Sequence, residues 1–220
     1  MTDFAQARKA MVDHQLRTSD ITDRRLLAAM GKVPREAFVP EARRSLAYID
    51  RPHQLVDEPG GRALPAPTPF ARLVQLAGVG PGDRVLDIGC GSGYSTAVLA
   101  ELAAAVVGVE ATAALAETAR TNLAALGIAN AEVVEAPLDA GAPDRGPYDV
   151  IIIGGEVASV PEALQAQLAD GGRLVAAIRG RGIGVAHRFV RVGDDVAAHA
   201  SFDANMPPLT VAGPSDRFVF

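Results

Sequence analysis

Val85-Leu86-Asp87-Ile88-Gly89-Cys90-Gly91-Ser92-Gly93-Tyr94 decides how this chain is read. An apolar run that meets an acid and then breaks into alternating glycines is a strand entering a tight turn, and Ser95–Leu102 reads as the helix that follows. Glycine permits the turn and lets a ligand come close to the backbone. N–H groups at the start of a helix attract negative or polar ligand atoms. Seventeen residues beyond Gly93 the next strand, Ala105–Val109, runs into Glu110. In a doubly wound sheet an acid at that place accepts hydrogen bonds from ribose hydroxyls. The loop and its acid together predict a nucleoside-containing cofactor.

Outward from this segment the chain alternates helix and strand. Thr68-Pro69 reads as an N-cap and first helical residue, with Phe70, Leu73, Val74 and Ala77 as the apolar stripe before Gly78. After Glu110 come a helix over Thr112–Leu126 closed by Gly127, strands at Ala131–Glu135 and Asp149–Ile153, a helix over Pro161–Ala169 and a strand at Arg173–Ile178. Strands separated by helix-length segments imply parallel βαβ units with right-handed crossovers. Val185–Val192 and Val196–Phe202 flank the turn signal Gly193-Asp194-Asp195 and predict an antiparallel hairpin, with Arg217–Phe220 as a further candidate strand. Before residue 51 the chain reads as short helices. One carries Leu26, Leu27 and Met30 after Thr22 as N-cap and stops at Gly31, before Pro34. Residues 51–69 hold five prolines and read as an irregular loop. The expectation is one α/β domain over 1–220: a helical extension and loop to residue 67, a cofactor-binding core over 68–180, and an antiparallel edge over 181–220. Its sheet is mostly parallel and doubly wound, Rossmann-like.

Composition narrows the classes. With 220 residues and 49% hydrophobic side chains the chain can build a core, and global disorder is excluded. The longest run without Asp, Glu, Lys or Arg is Ile88–Ala100, short of the roughly 18 residues of a spanning helix. The net charge of −5 lacks the basic footprint of a nucleic-acid binder. A single cysteine, Cys90, excludes an internal disulfide, and the start Met1-Thr2-Asp3-Phe4 lacks a signal-peptide pattern, so a cytoplasmic protein is expected. His14, His53, His187 and His199 have no ligand spacing, and no metal site is expected. Cys90 has no histidine near it in sequence and reads as a small loop residue rather than a nucleophile.

A nicotinamide dinucleotide prefers G-x-G-x-x-G/A, but the sixth position counted from Gly89 is Tyr94. The motif here is Asp-x-Gly-x-Gly-x-Gly, which resembles the first motif of S-adenosylmethionine-dependent methyltransferases. By that resemblance Asp87 sits near the methionine end of the cofactor and Glu110 grips the ribose, with Gly89, Cys90, Gly91, Ser92 and Gly93 lining it. Further stretches narrow the match: Met11–Leu16, Val33-Pro34-Arg35-Glu36-Ala37-Phe38-Val39-Pro40, Ala47–Asp50, Pro81–Leu86, Pro147-Tyr148-Asp149, Val160–Leu164 and Gly171–Val175. These resemble protein-L-isoaspartate O-methyltransferases over roughly residues 4–180, with Pro207-Pro208-Leu209 similar to that family's closing strand. The resemblance implies transfer of a methyl group from S-adenosylmethionine to the α-carboxylate of isoaspartyl residues in a protein or peptide, leaving S-adenosylhomocysteine.

The chain departs from the family where substrate is expected. The family's Gly-x-Thr-Ile-Ser-Gln-Pro aligns with Gly61-Arg62-Ala63-Leu64-Pro65-Ala66-Pro67, so three hydrogen-bonding side chains are lost and Pro65 has no N–H. Substrate binding is expected at Arg62, Ala63 and Pro65, with the planar Arg62 guanidinium able to clasp a carboxylate. Gly154-Gly155-Glu156 replaces the family's Thr-Ala-Ala, and the adenine-holding Gly-Asp-Gly falls on Ala136-Pro137-Leu138, leaving Asp139 as its stand-in. Glu156 is placed either to repel a carboxylate or to pair with a cation, and Arg179 and Arg181 read as a basic loop after a strand end. Isoaspartyl methylation leads. A different acceptor, and a non-catalytic binding protein on the same scaffold, stay open beside it.

Overall fold

The computed structural model describes residues 3–56, 61–180 and 182–210; the expected strand at Arg217–Phe220 and Arg181 lie outside the described residues. Among the described residues three α-helices and two short strands precede the strand that enters the glycine loop. Helix α1 (Phe4–Met11) starts where the Asp3 carboxylate accepts from the Gln6 N–H. Helix α2 (Arg24–Lys32) is capped by Asp23 rather than Thr22: its carboxylate accepts from the N–H groups of Arg25 and Leu26, which a residue one place earlier cannot reach. The proline-rich stretch is not irregular throughout. Strands β1 (His53–Gln54) and β2 (Ala63–Leu64) pair antiparallel, and helix α3 (Pro67–Ala77) begins with Pro67, two residues before the expected proline. Pro67 suits the first helical position because its missing N–H has no helical partner there.

Strand β3 (Arg84–Ile88) leads through the glycine loop into α4 (Tyr94–Ala100), and β4 (Ala105–Glu110), α5 (Ala113–Ala125) and β5 (Ala131–Glu135) follow. Then come β6 (Tyr148–Val157), α6 (Glu162–Gln165), β7 (Leu168–Ile178), β8 (Val185–Val192) and β9 (Asp195–Asp203). The sheet order is β5-β4-β3-β6-β7-β8-β9, parallel from β5 to β7 and antiparallel at β8 and β9. This is the doubly wound, Rossmann-like sheet with its antiparallel C-terminal hairpin. Alternate residues of the central strands enter two cores. Val85, Val106, Val150 and Ile152 pack on one face, and Leu86, Val107, Ile151 and Ile153 on the other. Strands buried on both faces are therefore continuous apolar runs. Met11, Leu16, Leu26 and Met30 join the first of these cores, so the N-terminal helices close the same face as α3 and α4.

Two elements differ from expectation near the site. The helix expected over Pro161–Ala169 is only α6, because Leu168 already pairs with Tyr148 and β7 runs through the positive-φ Gly171. Strand β6 continues past Ile153, because the chain's last described segment docks on it: Glu156 N–H donates to Pro207 O at 2.8 Å, and Leu209 N–H donates to Glu156 O at 2.8 Å. The chain order reverses between β3 and β6, and the crevice at the carboxyl ends of strands flanking such a reversal is where α/β sheets bind ligands.

Candidate active site

Asp87 lies on β3 with no exposure. Its Oδ2 accepts from Ser95 Oγ at 2.6 Å and Thr96 Oγ1 at 2.7 Å, both on the first turn of α4. Its Oδ1 is buried without a partner among the described residues. Burial raises the carboxyl to about 6, against the opposing pull of the two hydroxyls. An unpaired carboxylate oxygen in the core is costly unless something cationic or donating meets it.

The loop is pinned to β4, where the N–H groups of Gly89 and Cys90 donate to Val109 O at 2.8 and 3.1 Å. One step further Glu110, also without exposure, accepts through Oε2 from Gly91 N–H at 2.8 Å. Its Oε1 accepts from the N–H groups of Ala111 at 3.0 Å and Thr112 at 3.2 Å. Gly91 has φ +57°, a region L side chains rarely adopt. Ser92 Oγ donates to Phe38 O at 2.6 Å and ties the loop to the N-terminal extension, while Gly93 is the N-cap residue of α4. The loop residues, Asp87 and Glu110 therefore converge on one spot. Cys90 is buried with its Sγ under Gly108, and burial, with the neighbouring Asp87 and Glu110 carboxylates, pushes its thiol well above the usual range. It is a thiol at neutral pH and no nucleophile. Asp139 sits in the turn after β5, half-buried, and no hydrogen bond joins it to Glu110 or to the loop among the described residues.

The space above the loop is filled from the β1–β2 side. Arg62 Nη2 donates to Glu110 Oε2 at 3.1 Å and to Gly89 O at 2.5 Å, with Nε 3.3 Å from the same carboxylate oxygen. A Cβ on Gly89 would lie 2.8 Å from Arg62 Nη2 and 2.8 Å from Leu209 Cδ2; one on Gly91 would lie 2.7 Å from Leu55 Cδ1. The cavity left between Leu55, Leu64, Gly89, Gly91 and Gly154 is about 10 Å³. Ligand pockets for molecules of nucleoside size are roughly 300 Å³ or more. The donor set therefore fits an adenosyl ligand in chemistry, through a free buried carboxylate oxygen and an acid at the ribose position. In size the hollow is closed, with Arg62, Leu55 and Leu209 lying over the glycines.

Of the substrate candidates, Arg62 thus lies against Glu110, whereas Ala63 and Pro65 are buried and line the small hollow. Ala63 lines both the small hollow and a groove of about 590 Å³ on its far side, which Gln54, Arg72, Phe202, Asn205 and Pro208 also line. The Pro65 carbonyl accepts from Arg35 Nη2 at 2.5 Å, and Arg35 Nε donates to Ala47 O at 2.8 Å. Arg35 is fully buried and lies 4.7 Å from the Tyr94 ring centre. The sequence around Arg35 gives its part only one signal, an arginine set between the apolar residues Val33 and Phe38. Glu156 accepts from Arg179 Nε at 2.7 Å, so it is paired within the chain. Among the described residues no group of three or more His, Cys, Asp or Glu could hold a metal ion, and no helix is long and apolar enough to cross a membrane.

Comparison with known proteins agrees with this geometry. The model of the family described as Protein-L-isoaspartate(D-aspartate) O-methyltransferase matches residues 6–209. A relative from Rhodopseudomonas palustris (strain HaA2), Protein-L-isoaspartate O-methyltransferase 1, is 40% identical over 212 residues, covering 94% of this chain and 84% of the relative. A solved protein-L-isoaspartate O-methyltransferase is 27% identical with a TM-score of 0.81, covering 92% of this chain and 66% of the solved one. A Plasmodium falciparum chain solved in complex with S-adenosyl-L-homocysteine is 24% identical with a TM-score of 0.78 over 93% of this chain and 99% of that one, a likeness of fold. The chain belongs to the protein-L-isoaspartate O-methyltransferase family.

Proposed function

We infer that the protein is an S-adenosylmethionine-dependent carboxyl O-methyltransferase acting on isoaspartyl residues of proteins or peptides. The observation that carries the reading is the partnerless Asp87 Oδ1, buried beside a glycine loop whose neighbouring strand ends in the buried Glu110. Asp87 would receive the cofactor's ammonium, and Glu110 would exchange Arg62 for the ribose hydroxyls. Gly89, Cys90, Gly91, Ser92 and Gly93 would supply the close backbone surface, with Asp139 toward the adenine. When bound, the cofactor supplies a methyl group already activated by its sulfonium.

The chain's own task is then placement. An acceptor carboxyl with an ordinary pKa near 4 is ionised at neutral pH and needs no general base. Alignment of its oxygen with the methyl group, in a site closed to water, supplies the rate. Ala63 and Pro65 form the wall that an acceptor would pass, and Arg35 holds that wall through the Pro65 carbonyl. Arg62, released from Glu110, would stand within reach of the acceptor carboxylate on the same segment. The single cysteine, buried and reduced, fits a cytoplasmic protein.

The test is a methyl-transfer assay with an isoaspartyl peptide and its ordinary aspartyl counterpart. Base-labile methyl ester on the first alone is expected. Turnover of neither, with cofactor bound, would reject isoaspartyl methylation and favour a different acceptor.

A further inference from the structure

The groove beyond Ala63 carries a cation that the reading above does not use. Arg72 rises from the second turn of α3, on the face that also presents Thr68 and Pro69 to the groove. Its guanidinium carbon lies 3.9 Å from the centre of the Phe202 ring, which β9 supplies from 130 residues further along the chain. The cation sits over the ring and is attracted to its face, which holds the guanidinium against β9.

No hydrogen bond or ion pair to Arg72 is formed by any described residue, although Asp50 and Asp203 line the same groove. Asp50 is otherwise engaged, its Oδ1 accepting from Thr68 N–H at 2.9 Å. A half-buried arginine held against an aromatic ring, with no described residue hydrogen-bonded or ion-paired to it, can meet a carboxylate with two parallel hydrogen bonds. Arg51 lines the groove as well, and with Asp50 and Asp203 also there the charges of the lining balance, so the attraction for a carboxylate is local to the Arg72 guanidinium.

Arg72 does not line the hollow over Gly89 and Gly91, where the reacting carboxylate must arrive; Ala63 alone is shared by Arg72's groove and that hollow on the acceptor side. We propose that Arg72, planted on Phe202, is a specificity residue that receives a second carboxylate of the acceptor peptide, from an acidic side chain flanking the isoaspartyl residue or from a nearby peptide C-terminus. The inference rests on the groove being the acceptor channel. It implies a preference for isoaspartyl sites in acidic or C-terminal settings.

The experiment uses the full chain and isoaspartyl peptides of one sequence, with Glu or Gln at flanking positions and a free or amidated C-terminus. The wild-type protein is expected to prefer Glu over Gln, or the free terminus over the amide, at least about fivefold in kcat/KM and through KM; which pair responds identifies the source. Arg72→Met, which keeps an apolar contact with Phe202, should bring that ratio to about one, and Arg72→Lys should restore part of it. A wild-type ratio of one in both pairs, or a ratio that survives in Arg72→Met, overturns the proposal. So does a fall in kcat on the neutral, amidated peptide in Arg72→Met, which would assign Arg72 to the reacting carboxylate. If no isoaspartyl peptide is methylated, the functional reading fails, and the same ratios read from peptide binding by fluorescence anisotropy still decide for or against Arg72.

Discussion

Arg62 and Glu110 form an ion pair, Nη2 to Oε2 at 3.1 Å, in which the carboxylate is wholly buried and the guanidinium nearly so. The same carboxylate oxygen accepts the Gly91 N–H, so cation and glycine loop share the acid that ribose hydroxyls would claim. Because a ligand's apparent affinity is reduced by the fraction of protein not ready to bind it, a side chain lying in its place lowers affinity. Arg62→Met should therefore tighten binding of S-adenosylhomocysteine about three- to tenfold, read by calorimetry, while lowering the melting temperature of the free protein. Weaker binding would show that Arg62 touches the cofactor instead of yielding to it.

Asp87 gives a pH signature. Its carboxyl is raised to about 6 from an ordinary 3.8, so between those values the folded chain holds a proton that the unfolded chain has lost. Its contribution to stability is complete near pH 4 and is lost as pH rises through about 6. Asp87→Asn removes that loss and should be more stable than wild type at pH 7 by up to about 3 kcal/mol, at roughly 1.4 kcal/mol per pH unit of displacement. The difference should shrink toward pH 4. His53, held down to about 4 by burial and by the positive Arg35 and Arg43, loses stability in the opposite sense as pH falls, and cancels in this comparison. Urea unfolding of both proteins at pH 4.5, 6 and 7.5 measures it; a difference that does not change with pH would contradict the buried, unpaired state of Asp87.

Gly91 is held at φ +57°, where a side chain costs about 1 kcal/mol, and a Cβ there would sit 2.7 Å from Leu55 Cδ1 in the space the cofactor needs. Gly91→Ala should weaken S-adenosylhomocysteine binding tenfold or more while circular dichroism stays that of a folded protein. Unchanged affinity would place the cofactor elsewhere.

The acceptor wall allows a gain-of-function test. If the missing hydroxyls limit turnover, Ala63→Thr combined with Pro65→Ser should raise kcat/KM for an isoaspartyl peptide, because each returns a hydrogen-bonding group to the wall beside the hollow. The Arg35 bond is to the Pro65 backbone carbonyl and survives the exchange. An unchanged rate would remove the lost hydroxyls as an explanation.

The parts of the fold legible in sequence are those whose signals are local. The apolar runs of β3, β4 and β6, the alternating glycines and the acid at Glu110 each sit within one βα unit, and their placement follows from it. What sequence reasoning missed depends on distant chain. Arg62 reads as a loop cation, yet β1–β2 pairing carries it onto an acid 48 positions away. Arg35 has no local signal of burial, because arginines are rarely buried without a carboxylate; here the carbonyls of Ala47 and Pro65 and the Tyr94 ring take that part. Gly154-Gly155 reads as a strand end, but Pro207 and Leu209 extend β6 past it, and the same tail forms one side of the groove at Phe202 and Arg72.

The most direct measurement is a calorimetric titration of the wild-type protein and of Glu110→Ala with S-adenosylmethionine. One cofactor per chain is expected, with affinity falling at least tenfold in the variant, about 1.4 kcal/mol or more. No heat from the wild-type chain, or equal affinity in the two proteins, would contradict a donor held between the glycine loop and Glu110.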